Sequence, residues 1–251
     1  MHVYLTLLRR ELGSYFMSLT GYVVITSVLL LLGVSLMDVL NKLNADPTEL
    51  PLTEFFYITL YFWMVLLLTA PVITMRSFAL EKFSGTYETL MTAPVSDLQV
   101  VLAKFSGALV FFLITWIPLL VYLVVLHYYA DLNPATLTAP LVASTFLGIL
   151  LIGSLYMAMG CFASSLTGSQ IIAAAISYGL GLTLFLVSLR TMVSMPSTGL
   201  EAKVFAHLSM IDHMREFARG EIDSRWVIYF VSLTIFFLFL TLRVVESRRW
   251  K

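Results

Sequence analysis

The residues with chemistry to offer are few, and most sit in one polar stretch, Arg76 to Lys104. It holds Glu81, Lys82, Gly85, Thr86, Tyr87, Glu88, Leu90 and Pro94. Charges, hydroxyls and a phenol between two chain breakers suit the docking of a soluble partner; a solvated loop with no partner is the alternative. Other chemistry is missing. There is no G-x-x-x-x-G-K-[ST] run, so the chain has no P-loop of its own to cradle ATP phosphates. There is no H-E-x-x-H and no paired-cysteine spacing, and His2, His127, His207 and His213 lie far apart, so no metal site is expected. Cys161 is the single cysteine, which excludes an internal disulfide; in its apolar run it reads as a small packing residue.

The elements that must position these residues are membrane helices. Leu132 to Leu189 contains no charged side chain, and roughly 20 apolar residues suffice to cross a bilayer. Charges cluster between long apolar runs, unlike a globular core or the short alternating segments of a barrel. The expected fold is all-α and polytopic, a single transmembrane domain over 1–251. Six spans are placed at Gly21–Leu40, Phe56–Met75, Phe105–His127, Ala139–Ala163, Gln170–Leu189 and Trp226–Leu242. The fourth and fifth are split by Ser164-Ser165-Leu166-Thr167-Gly168-Ser169, a turn composition that makes them a helical hairpin. The run after Arg9 and Arg10 lacks a cleavage site and reads as the first span rather than a signal peptide.

An even number of spans puts both termini on one side. That side carries Arg9, Arg10, Arg76, Lys82, Lys104, Arg243, Arg248, Arg249 and Lys251. The other carries most of the acids, among them Glu54, Asp131, Glu201, Asp212, Glu216 and Asp223. The positive-inside rule then predicts cytoplasmic termini. Trp226 and Trp250 bracket the last span as interfacial anchors, and Tyr128 and Tyr129 sit similarly after the third. Residues 1–20 place Leu5, Leu8, Leu12 and Tyr15–Phe16 at helical spacing around Arg9, Arg10 and Glu11, which predicts an amphipathic helix in the interface. No Asp, Glu, Lys or Arg falls well inside a span, which argues against a proton- or ion-coupled carrier.

Within the 76–104 loop, Arg76 to Phe83 can continue the second helix, and Gly85 is a natural stop. Thr86 can cap a short helix from Tyr87 to Thr92, with Pro94 beyond its end. Ser96 with Gln99 forms a capping-box pattern leading into the third span.

This stretch resembles the E-x-x-x-G-T-x-E-x-L…P-V-S…K segment of ABC-2-type ABC transporter permeases, in Glu81 to Leu90, Pro94-Val-Ser and Lys104. Within that family the resemblance is to the branch associated with gliding motility and with copper-site maturation of nitrous oxide reductase. Leu8-Arg-Arg-Glu-Leu-Gly-Ser-Tyr-Phe and Asp212-His-Met-Arg-Glu-Phe-Ala-Arg-Gly-Glu-Ile-Asp resemble further segments of it. The resemblance implies a bacterial inner-membrane transport subunit, an exporter component working as a dimer with a second permease copy or paralogue. It implies two cytoplasmic ABC ATPase subunits that hold ATP and Mg, no cofactor on this chain, and no nucleic-acid partner. Gly85 to Leu90 would be the coupling element, with Glu81 and Glu88 as polar contacts. Lys82 and Lys104 would meet acidic ATPase surface or lipid headgroups.

Residues 190–225 form the extracytoplasmic segment before the last span. Ala202, Phe205, Leu208, Ile211, Met214 and Phe217 recur at helical spacing, and Gly220 can end that helix. His213, Phe217, Gly220 and Asp223 match the family segment; a gate, a partner-binding surface for an extracytoplasmic accessory subunit, and plain closure of the outer face are the readings. Ala173, Ser177 and Gly181 repeat every four residues, a face for close helix packing. Pro71 and Pro118 can kink spans two and three. A non-transporting membrane scaffold is the alternative to the permease.

Overall fold

The computed structural model describes residues 2–45, 52–88, 95–129, 138–193 and 207–249. Among them the regular elements are all helices. They are α1 (His2–Phe16), α2 (Leu19–Ala45), α3 (Leu52–Ile58), α4 (Leu60–Thr74), α5 (Ala79–Ser84) and α6 (Asp97–Thr115). Then follow α7 (Ile117–Tyr129), α8 (Ala139–Leu166), α9 (Gln170–Val193), α10 (Met210–Ala218) and α11 (Ser224–Arg249). Six stretches are long and apolar enough to cross a membrane: Leu19–Lys42, Leu60–Ser84, Asp97–Tyr128, Ala139–Leu166, Gln170–Arg190 and Ser224–Ser247. The chain is a multi-pass membrane protein.

The core sits around α8, against which α4, α6, α9, α10 and α11 all pack. Two glycines permit the closest approaches. A Cβ on Gly153 would collide with the Phe112 ring of α6, and one on Gly160 with the Thr74 side chain of α4. Ala173 and Ser177 of α9 are buried, and the Tyr156 ring lies where a Cβ on Gly181 would go. The Tyr156 hydroxyl donates to the Gly181 carbonyl at 3.1 Å. The α8–α9 hairpin turns at Thr167–Ser169, inside the stretch expected to split those spans.

The second and third spans are not single helices. Span two breaks at Thr59 and again at Met75–Phe78, so the expected continuation of one helix through Phe83 does not occur. Span three begins at Asp97, well before Phe105, because the Ser96–Gln99 capping box forms as read: Gln99 N–H donates to Ser96 Oγ and Ser96 N–H to Gln99 Oε1, both at 3.3 Å. It breaks at Trp116, two residues before Pro118, whose missing N–H and ring disfavour a continuous helix there. Pro71 lies inside α4 with no break; the Met75 N–H still reaches its carbonyl at 2.9 Å.

Overpacking the centre tests this arrangement. Gly153→Ala should lose about 1–3 kcal/mol of stability, the usual cost of forcing extra volume into a filled core. Gly179→Ala, where no heavy atom lies within 4 Å of the added Cβ, should lose none. Thermal unfolding in detergent compares the two.

Candidate functional site

The polar loop expected to dock a partner lies at the end of the bundle that carries both termini. There α5 begins without a capping side chain of its own. The first turn of a helix leaves N–H groups unpaired, and in an apolar setting these need acceptors. Ser164, in the last turn of α8, supplies one: its Oγ accepts from Phe78 N–H at 3.0 Å and Ala79 N–H at 3.1 Å. The same hydroxyl donates to the Met75 carbonyl at 3.1 Å. Lys82 Nζ donates to the Ser165 carbonyl. The break between α4 and α5 is therefore stitched to the α8–α9 turn. A small second core lies beneath it, formed by Phe78, Tyr87, Val100, Val101, Cys161 and Val245.

A four-residue ion network holds the other side of α5. Lys104 Nζ lies 2.8 Å from Glu81 Oε1 and 3.2 Å from Glu11 Oε1. Arg10 Nη2 lies 3.1 Å from Glu81 Oε1 and 3.0 Å from Glu11 Oε1. The Lys104 side chain is 1% exposed and its ammonium also sits 5.3 Å from the Phe78 ring centre. An unpaired ammonium there would be costly, so the two carboxylates are structural requirements. Three helices converge: α1 gives Arg10 and Glu11, α5 gives Glu81, α6 gives Lys104. Gly107 lets α1 lie against α6, since a Cβ there would come within 2.9 Å of Glu11 Cβ. Tyr15 stacks on Phe111 at 5.0 Å, and burial holds its phenol well above its ordinary pKa, so it stays neutral. Arg76 Nη1 donates to Thr20 Oγ1 at 2.9 Å, tying the start of α2 to the same end.

Several expectations change on this geometry. Glu11 was read among the polar residues of an interfacial helix; it faces the bundle, while Val3, Leu5 and Phe16 are exposed. Lys104 was read as facing a partner or headgroups; it is buried. So ionisable groups do lie buried in a spanning stretch, but close to its end. Glu81 was read as an outward contact; its carboxylate is taken by Lys104 and Arg10. The outward face is Phe83, Ser84, Gly85, Thr86 and Glu88, with Phe83 79% exposed. Gly85 ends α5 at φ 75°, as its position suggested, and a helical turn resumes at residues 86–88. Tyr87 turns inward, its ring 5.4 Å from Lys82 Nζ. Leu90, Pro94 and Trp250 lie outside the described residues.

At the opposite end, α10 covers α8. Ser209 caps it, accepting from Asp212 N–H at 3.4 Å, and Gly220 follows it at φ 86°. Ile211, Met214 and Phe217 of the predicted stripe are buried in the bundle, so the bundle itself covers that face; Ala202 and Phe205 lie outside the described residues. His213 is buried and stacks on Trp226 with ring centres 3.7 Å apart. Asp223 caps α11, accepting from Arg225 N–H at 2.8 Å, and the Arg225 side chain holds its carboxyl below the usual range. Glu54, read only as an outer-loop acid, is 2% exposed and takes a bidentate pair from Arg219.

Composition and spacing missed Ser164, Lys104 and Glu54. For Lys104 a signal existed: the capping box starts the helix at Asp97, which puts a lone lysine two turns inside it among Val100, Val101, Ala103 and Phe105. Lys104→Ala should cost about 3–5 kcal/mol, because the buried Glu11 and half-buried Glu81 carboxylates lose their main partner. Arg10→Ala should cost about 1 kcal/mol or less, its side chain being 51% exposed. Equal losses for the two in detergent unfolding would contradict the central place given to Lys104.

No curated protein is similar enough to match the chain. A family model described as ABC-2 family transporter protein matches residues 16–218, from the end of α1 through α10. With six apolar spanning stretches and a helical fold, the chain belongs to the ABC-2 transporter family and is a permease component of an ABC transporter.

Proposed function

We propose that this chain is the membrane subunit of an ATP-driven exporter, of the branch associated with gliding motility and nitrous oxide reductase maturation. In this reading it sits in a bacterial inner membrane with both termini in the cytoplasm. Separate ABC ATPases bind ATP and Mg and drive it; no nucleotide or cofactor binds this chain.

One observation carries the proposal. The α5 element presents an open outer face while its inner face is fixed to three parts of the bundle. Glu81 joins it to α1 and α6, Ser164 and Lys82 join it to the α8–α9 turn, and the chain itself continues into α4. A displacement delivered at residues 83–88 would therefore reach α1, α4, α6 and the α8–α9 turn. Exposed Phe83 offers an aromatic anchor, a residue type enriched at protein interfaces, and exposed Glu88 a charged contact on the same element. Lys82 and Tyr87 support the element from behind. A non-transporting scaffold would need the docking face but not these internal ties.

The second permease copy would seat on the face where α4 is bare. Leu60, Met64 and Leu68 of α4 are exposed at four-residue spacing, between α2 and α9, which both pack on α4. Leu60 is 62% exposed on a helix whose other faces are mostly buried.

Glu88→Lys and Gly85→Pro should each reduce ATPase co-purification from mild detergent by tenfold or more, with the permease still in the membrane. Proline cannot adopt the positive φ at Gly85. Co-purification of both variants at the wild-type level would place the docking site elsewhere; a preparation that never contains an ATPase would favour the scaffold.

A further inference from the structure

The end of the bundle away from the termini holds a second ion cluster. We infer that Glu54 and Arg219 form a latch that clips α3 to α10 and closes the mouth of the bundle at that end. The latch itself rests on the geometry below; that it opens during transport rests on the proposed function.

Arg219 Nε donates to Glu54 Oε2 at 3.0 Å and its Nη2 to Oε1 at 2.9 Å, a fork-on-fork pair with fixed orientation. Arg215 Nε donates to the Tyr57 hydroxyl at 3.1 Å. Thr53 Oγ1 donates to the Ala218 carbonyl at 2.7 Å, so α3 also fastens the last turn of α10. Beneath these contacts lies a small cavity lined by Thr53, Phe56, Tyr57, Phe62, Thr145 and Met214, among others. The cavity is about the size of one water.

The asymmetry of the pair is what suits it to opening. Glu54 is buried, whereas the Arg215 and Arg219 side chains are 36% and 46% exposed. Water reaches the cations already, so parting the pair brings one carboxylate into water and moves no charge through lipid. Lys104 at the other end is enclosed on all sides and makes a fixed joint. The segment α3 can move because it is separate from α4: the chain breaks at Thr59, where the backbone is extended at ψ 141°. The carbonyls freed there are already served. Thr59 Oγ1 donates to Phe56 O at 2.6 Å, and Trp63 Nε1 to Tyr57 O at 3.1 Å. Between the two ion clusters α4 carries no charge over 15 residues. It spans about 22 Å at 1.5 Å per residue and links the α5 end to the latch.

The test uses a thiol under the latch. Met214→Cys, on a Cys161→Ala background, is reconstituted in nanodiscs, where both faces meet a water-soluble maleimide. With the latch intact the thiol should label slowly. Glu54→Gln should speed labelling at least tenfold. Arg219→Ala should do the same without altering a buried position. The exchange of Glu54→Arg with Arg219→Glu should return the rate to within about threefold of the intact protein. Labelling unchanged in Arg219→Ala, or an exchange variant as fast as the single variants, overturns the latch. With the co-purified ATPase present, ATP should speed labelling of the latch-intact protein. No response to ATP, with the Glu54 and Arg219 effects intact, counts against ATP-driven opening and leaves the latch standing.

Discussion

A helix that breaks inside a membrane must find partners for every peptide group it frees, because no water is there to serve them. The remaining structure is arranged around that constraint. Span two breaks twice, and each break falls where a side chain can reach it. At Thr59 the residue's own hydroxyl and the Trp63 indole take the carbonyls. At Met75–Phe78 the Ser164 hydroxyl of another helix takes two N–H groups and gives its proton to a carbonyl. At Trp116 the Thr115 hydroxyl bonds back to Phe112 at 2.6 Å. The partner at Met75–Phe78 comes from the hairpin turn of spans four and five. That break can therefore exist only while α8 and α9 hold their present register. Local conformation and tertiary packing are the same fact at this position.

The charges follow the same logic at greater cost. An ionised side chain taken from water needs a counter-charge and hydrogen bonds at close range. Lys104 has two carboxylates within 3.2 Å, and each of those has Arg10 as well. The network contains two cations and two anions, so it carries no net charge into the apolar surroundings. Its members come from three helices, and moving Lys104 or either carboxylate leaves a charge without its main partner. A joint of this kind would transmit displacement instead of absorbing it, which is the property wanted behind the proposed docking element.

Much of the frame was legible in the chain itself. The number of spans follows from charge-free runs of bilayer length. The Ser96–Gln99 box and Gly85 mark their boundaries because capping and positive φ are decided by a few neighbouring residues. The Ser164–Ser169 turn follows from its composition. The rest depends on residues far apart in sequence. Glu11 meets Lys104 across 93 positions, and Glu54 meets Arg219 across 165. Nothing near Glu11 says that it faces inward; its neighbours Arg9 and Arg10 suggest a solvated face. Thr59 is a break without proline or glycine, since its cost is offset by Trp63 and its own hydroxyl rather than avoided by backbone freedom. Pro71 shows the converse: a strong local breaker sits inside an unbroken helix because the surrounding bundle confines it.

The helices are unequally enclosed, and the inequality has a physical consequence. In the most apolar windows, 78% of α8 residues are buried but only 17% of α11 and 28% of α2 and α9. The outer helices can present leucine, isoleucine and phenylalanine outward because lipid is as apolar as their side chains. Burial therefore gives little drive to hold α9 and α11 against α8, or α2 against α4. Close packing of Gly181 on the Tyr156 ring, and hydrogen bonds such as Ser154 to Thr234 at 3.2 Å, have to do it. Span two lies between these extremes, 67% buried. It is clamped by ions at both ends, broken at two defined points, and bare along one line of α4. In the proposed transport cycle, a helix held so firmly at its ends and so lightly along one side would pivot at its breaks and shift the α5 end and the α3 end together.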